Sequence, residues 1–164
     1  MSETAKCRDR LIQYCTGNGL DLGCGDEKIC PQATGVDWRK TPAVDVVGSV
    51  EDLSWVEDRS VDYIFSSHLL EHLPYPWRTL KVWLHKIRRG GYLVLYLPDR
   101  DSYGAVLARQ GTFNTEHFWN PSMDVAIGMI LDVANEVGRR GDAVHQFLDV
   151  GDDRYSFDLV VQVQ

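Results

Sequence analysis

Two stretches of the chain gather residues that can move protons. "SSHLLEHLP" (66–74) sets His68, Glu71 and His72 three and four positions apart, and "FNTEHFWNP" (113–121) places His117 between Glu116 and Phe118. An imidazole titrates near neutral pH, so His68, His72 and His117 are the candidate general bases. The Glu116 carboxylate beside His117 would raise its proton affinity. For His72 a hydrogen-bonded structural role outweighs catalysis. On one helical turn His68, Glu71 and His72 could share a face, as a metal set of two histidines and one carboxylate would. The inverted zinc motif H-x-x-E-H, however, needs a long helix and a further ligand. This segment ends at Pro74, so no metal is expected. Asp99, Asp101 and Tyr103 in "LPDRDSYG" (97–104) offer further polar groups.

A different chemistry is written in "GLDLGCGDEKICPQATGVDW" (19–38). An apolar strand runs into Gly23-Cys24-Gly25, and a second short strand ends on Asp37. Glycine lets the backbone turn sharply and lets a ligand approach it closely. An acid at the tip of the second strand can accept hydrogen bonds from two ribose hydroxyls. A dinucleotide would want G-x-G-x-x-G and a helix N-terminus beneath its pyrophosphate. Here Lys28 holds the third glycine's place, and "DEKICPQA" leaves room for at most about two helical turns. A cofactor with an adenosine and no phosphate has no such need.

These groups must be held by regular elements. Residues 3–16 carry Ala5, Leu11, Ile12 and Cys15 on a helical period closed by Gly17. Strands are expected at 19–24, 33–37, 43–48, 61–67 and 90–98. A helix over 76–88 has Trp77, Leu80, Trp83, Leu84 and Ile87 on its apolar face and Arg78, Lys81, Lys86 and Arg88 outside. The 99–120 segment reads as a long polar lid or acceptor loop. Asn120 as cap and Pro121 as first residue open a last helix that runs to Gly138. "AVHQFLDV" (143–150) and "SFDLVVQV" (156–163), joined by "GDDRY", form an antiparallel hairpin. Strand–helix alternation before the hairpin argues for parallel strands with helices on both faces.

At 164 residues the chain is expected to be one domain spanning 1–164. Its net charge of −7 argues against nucleic acid or an anionic membrane surface as a main partner. The first ten residues are polar, without a signal-peptide core. "YLVLYL" (92–97) is too short to span a bilayer. Cys7, Cys15, Cys24 and Cys30 show no zinc-finger spacing and read as reduced thiols in a cytoplasmic protein. A Cys24–Cys30 or Cys15–Cys30 pair is the alternative.

"LDLGCG", then "GVDW", "VDYIFSSHLLEHLP" and "IRRGGYLVLYLP", in that order, resemble the class I S-adenosylmethionine-dependent methyltransferases, of the type 11-like kind. The resemblance covers residues 19–98 and the closing hairpin. It implies a Rossmann-like sheet of strand order 3-2-1-4-5-7-6 with an antiparallel last strand and, here, a shortened first crossover helix. It implies S-adenosylmethionine as cofactor. Asp21, Gly23 and Gly25 would border its methionine part, Asp37 its ribose and Trp38 its adenine, with the Ser66 backbone under the methionine end and Cys24 also among the cofactor-binding residues. The family often has an acid after the third strand. Ser49 stands there, with the Val50 amide for an adenine nitrogen and Glu51 or Asp52 as substitutes. The expected activity is methyl transfer to a small-molecule or sugar-containing acceptor. A cofactor-binding or partner-binding module without catalysis is the rival, and a nicotinamide reductase is a weaker one. A homodimer is left open.

Overall fold

In the computed structural model, residues 2–112, 114–151 and 154–164 are described. Seven strands form one sheet: β1 (Gly19–Leu22), β2 (Thr34–Asp37), β3 (Val46–Val47), β4 (Val61–Ser67), β5 (Ile87–Pro98), β6 (Gly141–Val150) and β7 (Tyr155–Val163). Their order is β3-β2-β1-β4-β5-β7-β6, as expected. β1 to β5 run parallel, and β7 lies antiparallel between β5 and β6. β1 is short, wholly buried and next to the central β4, and its carboxyl end opens where the strand order reverses.

Period-two alternation sends neighbouring side chains to opposite faces. Ile64, Leu93, Leu95 and Leu97 join Leu80, Trp83, Leu84 and Ile130 in one layer. Tyr63, Phe65, Val94 and Tyr96 join Cys7, Leu11, Ile29 and Cys30 in the other. The first layer is covered by α2 (Pro76–Lys86) and α4 (Met123–Glu136), the second by α1 (Glu3–Leu11). All four cysteines are buried free thiols, and the Cys30 Sγ lies 3.3 Å from the Tyr63 hydroxyl. Among the described residues no helix is long and apolar enough to cross a membrane.

Several elements depart from expectation. Residues 99–112 are not a loop: α3 (Arg100–Gln110) occupies them. The Asp99 carboxylate caps it by accepting from the Ser102 amide at 3.0 Å and the Ser102 hydroxyl at 2.9 Å, and Gly111 closes it in the left-handed conformation. Only Val106 of this helix is buried, so no apolar period announces it. α4 starts after Ser122, not at Pro121, whose carbonyl accepts from the Arg100 amide. Trp77 lies outside the α2 core face and packs edge-on against Tyr75 in solvent. The first helix ends at Leu11 and tightens into a 3₁₀ turn, Ile12–Tyr14, leaving Ile12 exposed. The β6–β7 turn carries Asp152 and Asp153, which lie outside the described residues.

No helix forms between β1 and β2. Separate tethers hold that segment instead. The Ile29 amide donates to the Asp21 carboxylate at 2.6 Å. Arg8 of α1 donates to the carbonyls of Lys28 and Ile29, at 2.8 and 3.1 Å. The Lys28 ammonium bonds Ala33 O and Asp45. α1 thus completes the wall that a crossover helix would otherwise supply.

Candidate active site

The β1 and β2 ends are stitched together at the glycine turn. Gly23 N–H donates to Val36 O at 2.8 Å, and Gly25 N–H donates to the Asp37 carboxylate at 3.0 Å. Both glycines have positive φ, +74° and +56°. At Gly23 a Cβ would also meet Leu69 at 2.8 Å, so a side chain there is excluded twice over. The second Asp37 oxygen accepts the Arg39 amide at 2.9 Å. The carboxylate is therefore oriented before any ligand arrives, and each oxygen keeps a lone pair.

Beyond these strand ends lies a cleft of about 520 Å³, within the usual range for small-ligand sites. Gly23, Asp37, Trp38, Ser49 and Val50 of the expected cofactor residues line it. Asp21, Cys24, Gly25 and Ser66 stand behind that lining. Asp21 is buried on Ile29, the Cys24 thiol points to Ala43 O, Gly25 braces Asp37, and the Ser66 hydroxyl donates to Leu22 O. Burial pushes the Asp21 carboxyl up to about 7. Trp38 is 80% exposed, so its indole face is free at the rim. The Ser49 hydroxyl accepts the Glu51 amide at 3.1 Å, which turns the chain so that Glu51 also reaches the cleft. Asp52 instead caps Ser54. Trp83 of α2 donates its indole N–H to Val50 O at 2.8 Å and so fixes this rim from below.

The opposite end of the cleft is built by the segment after β4. His68 has φ +48°, a conformation that costs a non-glycine residue energy. Its amide donates to Tyr96 O, and its Nε2 lies 2.8 Å from the Ser156 hydroxyl. Burial, with Lys6 nearby, drives its pKa down to about 3. The ring is neutral, so its 3.5 Å approaches to Glu3 and Glu71 are not ion pairs. Glu71 is fully buried, and neither carboxylate oxygen has a hydrogen-bond partner. Burial pushes its carboxyl up to about 8.

His72 also lines the cleft. His117 meets it edge to face, with ring centroids 4.7 Å apart, and stacks on Tyr103 at 4.9 Å. Burial lowers the His117 pKa, against the raising expected from Glu116 alone. The amides of Phe118 and Trp119 donate to the Glu71 carbonyl, which docks the His117 segment onto the β4 end. His68, His72 and His117 thus gather at one end of the cleft, but His68 turns toward β7, and His117 takes the place beside Glu71 and His72. Sequence spacing showed the first three groups; it gave no sign of the 46-residue closure that brings in His117. That closure depends on backbone bonds to Glu71 O.

Comparison with known proteins assigns the chain to a family. The profile of a family described as "Methyltransferase domain" matches residues 4–151. Among solved structures, a chain of the Haloferax volcanii complex containing the Trm112 methyltransferase activator superposes with a TM-score of 0.70 at 14% identity, covering 98% of this chain and 88% of that one. A Thermotoga maritima S-adenosylmethionine-dependent methyltransferase gives 0.69 at 18% identity, covering 98% and 90%. An Archaeoglobus fulgidus S-adenosylmethionine-dependent methyltransferase gives 0.66 at 17%, covering 96% and 91%. A search of curated proteins gives no match. At these identities the structural likeness speaks for the fold alone; the profile spans most of the chain, and by it the protein belongs to the methyltransferase-domain family.

Proposed function

We propose that this protein binds S-adenosylmethionine and methylates a small-molecule or sugar-containing acceptor. The observation that carries the reading is Asp37: a buried, pre-oriented carboxylate at the tip of β2, facing a cleft whose neighbouring crossover has no helix to hold a phosphate. That donor set fits an adenosine without a pyrophosphate. Asp37 holds the ribose hydroxyls, Trp38, Ser49 and Val50 flank the adenine, and the Gly23 turn admits the methionine end. Asp21, Cys24, Gly25 and Ser66 support this lining from behind. The cofactor, when bound, supplies a methyl group activated on a sulfonium.

The task left to the chain is to align the acceptor, which can be worth about 7–11 kcal/mol. His72 and His117 present ring nitrogens where an acceptor's proton must leave. His68, neutral and tied to Ser156, is a poor base at a pKa of about 3 and serves to orient the acceptor end. The cleft, at about 520 Å³, is of a size for the cofactor and a small acceptor. The buried thiols, none of them paired, support action in the reducing cytoplasm.

The test is calorimetric titration with S-adenosylhomocysteine. Wild-type protein should bind, and Asp37→Ala should weaken binding by roughly 2–4 kcal/mol, from two lost hydrogen bonds to a charged group. Unchanged affinity in the variant would sink the ribose assignment.

A second reading, a cofactor-binding or partner-binding module without turnover, is favoured by one observation. Edge strand β6 exposes Val144, Phe147, Leu148 and Val150, and an exposed apolar edge invites pairing with another chain. Cofactor binding without methyl transfer across an acceptor panel, with a stable dimer or hetero-complex in light scattering, would support it.

A further inference from the structure

We propose that Glu71, His72 and His117 form a binding site for one divalent transition-metal ion at the acceptor end of the cleft. The three side chains each bring one ligand atom to within 4.8 Å of the others. The distance alone would not carry this, because such clusters arise on surfaces by chance. The state of each ligand atom does.

Glu71 is the first observation. It is fully buried, and both of its oxygens lack any hydrogen-bond donor. A buried carboxylate without partners is costly, and a cation is the partner that would relieve both oxygens together.

The ring tautomers are the second, independent observation. His72 Nδ1 lies 3.1 Å from Glu116 O, and His117 Nδ1 lies 2.7 Å from Asn120 Oδ1. A carbonyl oxygen can only accept, so both Nδ1 atoms carry the proton. Both Nε2 atoms are left as bare lone pairs. His72 Nε2 stands 4.0 Å from Glu71 Oε1. Metal-binding histidines are oriented in this way, with the second ring nitrogen donating to a carbonyl or carboxylate.

Preorganisation is the third. The Phe118 amide donates to Glu71 O at 2.8 Å, so the backbone that bears His117 is fixed to the residue that supplies the carboxylate. Ligand atoms around a zinc-like ion stand roughly 3–3.5 Å apart. Small ring rotations at the two half-buried histidines would close the remaining distance.

Two imidazoles and one carboxylate favour a borderline ion such as zinc, cobalt or iron over magnesium or calcium. Three protein ligands leave positions open, and His72 lines the cleft. An oxygen atom of the acceptor would take an open position. That last step rests on the methyl-transfer reading; the ion site does not. With the ion bound, the two rings act as ligands, and the ion in place of a histidine lowers the acceptor's pKa.

The experiment uses the full chain after chelator treatment, titrated with Co²⁺ and followed by visible absorption, then displaced with Zn²⁺. One ion per chain should bind, with the bands of a four- or five-coordinate nitrogen and oxygen site. His117→Ala and Glu71→Gln should each weaken Co²⁺ binding roughly tenfold or more; circular dichroism checks that both variants stay folded. His117 is half-exposed, so its variant keeps the test valid if Glu71→Gln unfolds. Absence of saturable binding would overturn the proposal, as would equal affinity in a folded His117→Ala. An intense thiolate charge-transfer band would also overturn it by placing the ion on cysteine. S-adenosylhomocysteine titration of the same chelated protein separates the two readings. Cofactor binding without Co²⁺ binding removes only the ion site; Co²⁺ binding without cofactor binding removes the methyl-transfer reading.

Discussion

Asp21 shows how a residue can belong to a motif and yet work behind it. Its carboxylate is buried and accepts the Ile29 amide, while burial raises its pKa from an ordinary 3.8 to about 7. The folded state therefore holds a proton that the unfolded chain has released across the window between those values. Stability from this group is complete below about pH 4 and is lost as pH rises through about 7. Wild-type stability should fall across that window by an amount on the order of 2–4 kcal/mol from this residue. Asp21→Asn keeps an acceptor for Ile29 and should flatten the decline; urea midpoints at pH 5 and pH 8 compare the two. An equally steep fall in the variant would refute the assignment. The place of Asp37 at the tip of β2 was legible from "GVDW", because it depends only on where the strand ends. The use of Asp21 was not, because its partner lies eight residues away in an irregular loop.

Elements were legible where their period was strong. β4 ran over residues 61–67 as expected, and α2 showed its buried face through Leu80, Trp83 and Leu84. Trp77 misled because an aromatic at helical spacing looks like core, whereas here Pro76 and Thr79 take the buried side of the first turn and Trp77 falls with Arg78 on the outer one. α3 was hidden because capping, through Asp99 and Gly111, makes it a helix without an apolar face. α2 also sets the shape of the site. Trp83 carries the bond to Val50 O from the core to the cleft rim. Trp83→Phe should fill most of the volume but strand that carbonyl, costing about 1–3 kcal/mol of stability. S-adenosylhomocysteine affinity should drop with it, since the Ser49–Val50 turn loses its support. Denaturant midpoint and calorimetry read the two effects; a loss of stability with unchanged affinity would separate α2 from the site.

At the scale of the whole molecule, α1 is the clasp between the first and last strands. Arg10 bonds Asp158 at 2.6 and 3.0 Å and Asp149 at 2.8 Å, and both acids are buried on the closing hairpin. Removing one partner of a buried pair leaves an uncompensated charge. Arg10→Ala should therefore destabilise the fold by about 3 kcal/mol or more, read as a lowered urea midpoint. A shift under about 0.5 kcal/mol, the scale of an ordinary surface change, would contradict it. Sequence showed a helix at the start of the chain but not what it grips, since residues 10 and 158 meet only through the order of the strands. The same helix, through Arg8, holds the segment between β1 and β2 in place of a crossover helix. A helix melts cooperatively, as one unit. A wall fastened by individual side chains has no such cooperativity, and its amides can exchange with solvent one tether at a time. The Asp37 end of the cleft would then loosen by degrees on warming, with the strand ends beneath it still intact.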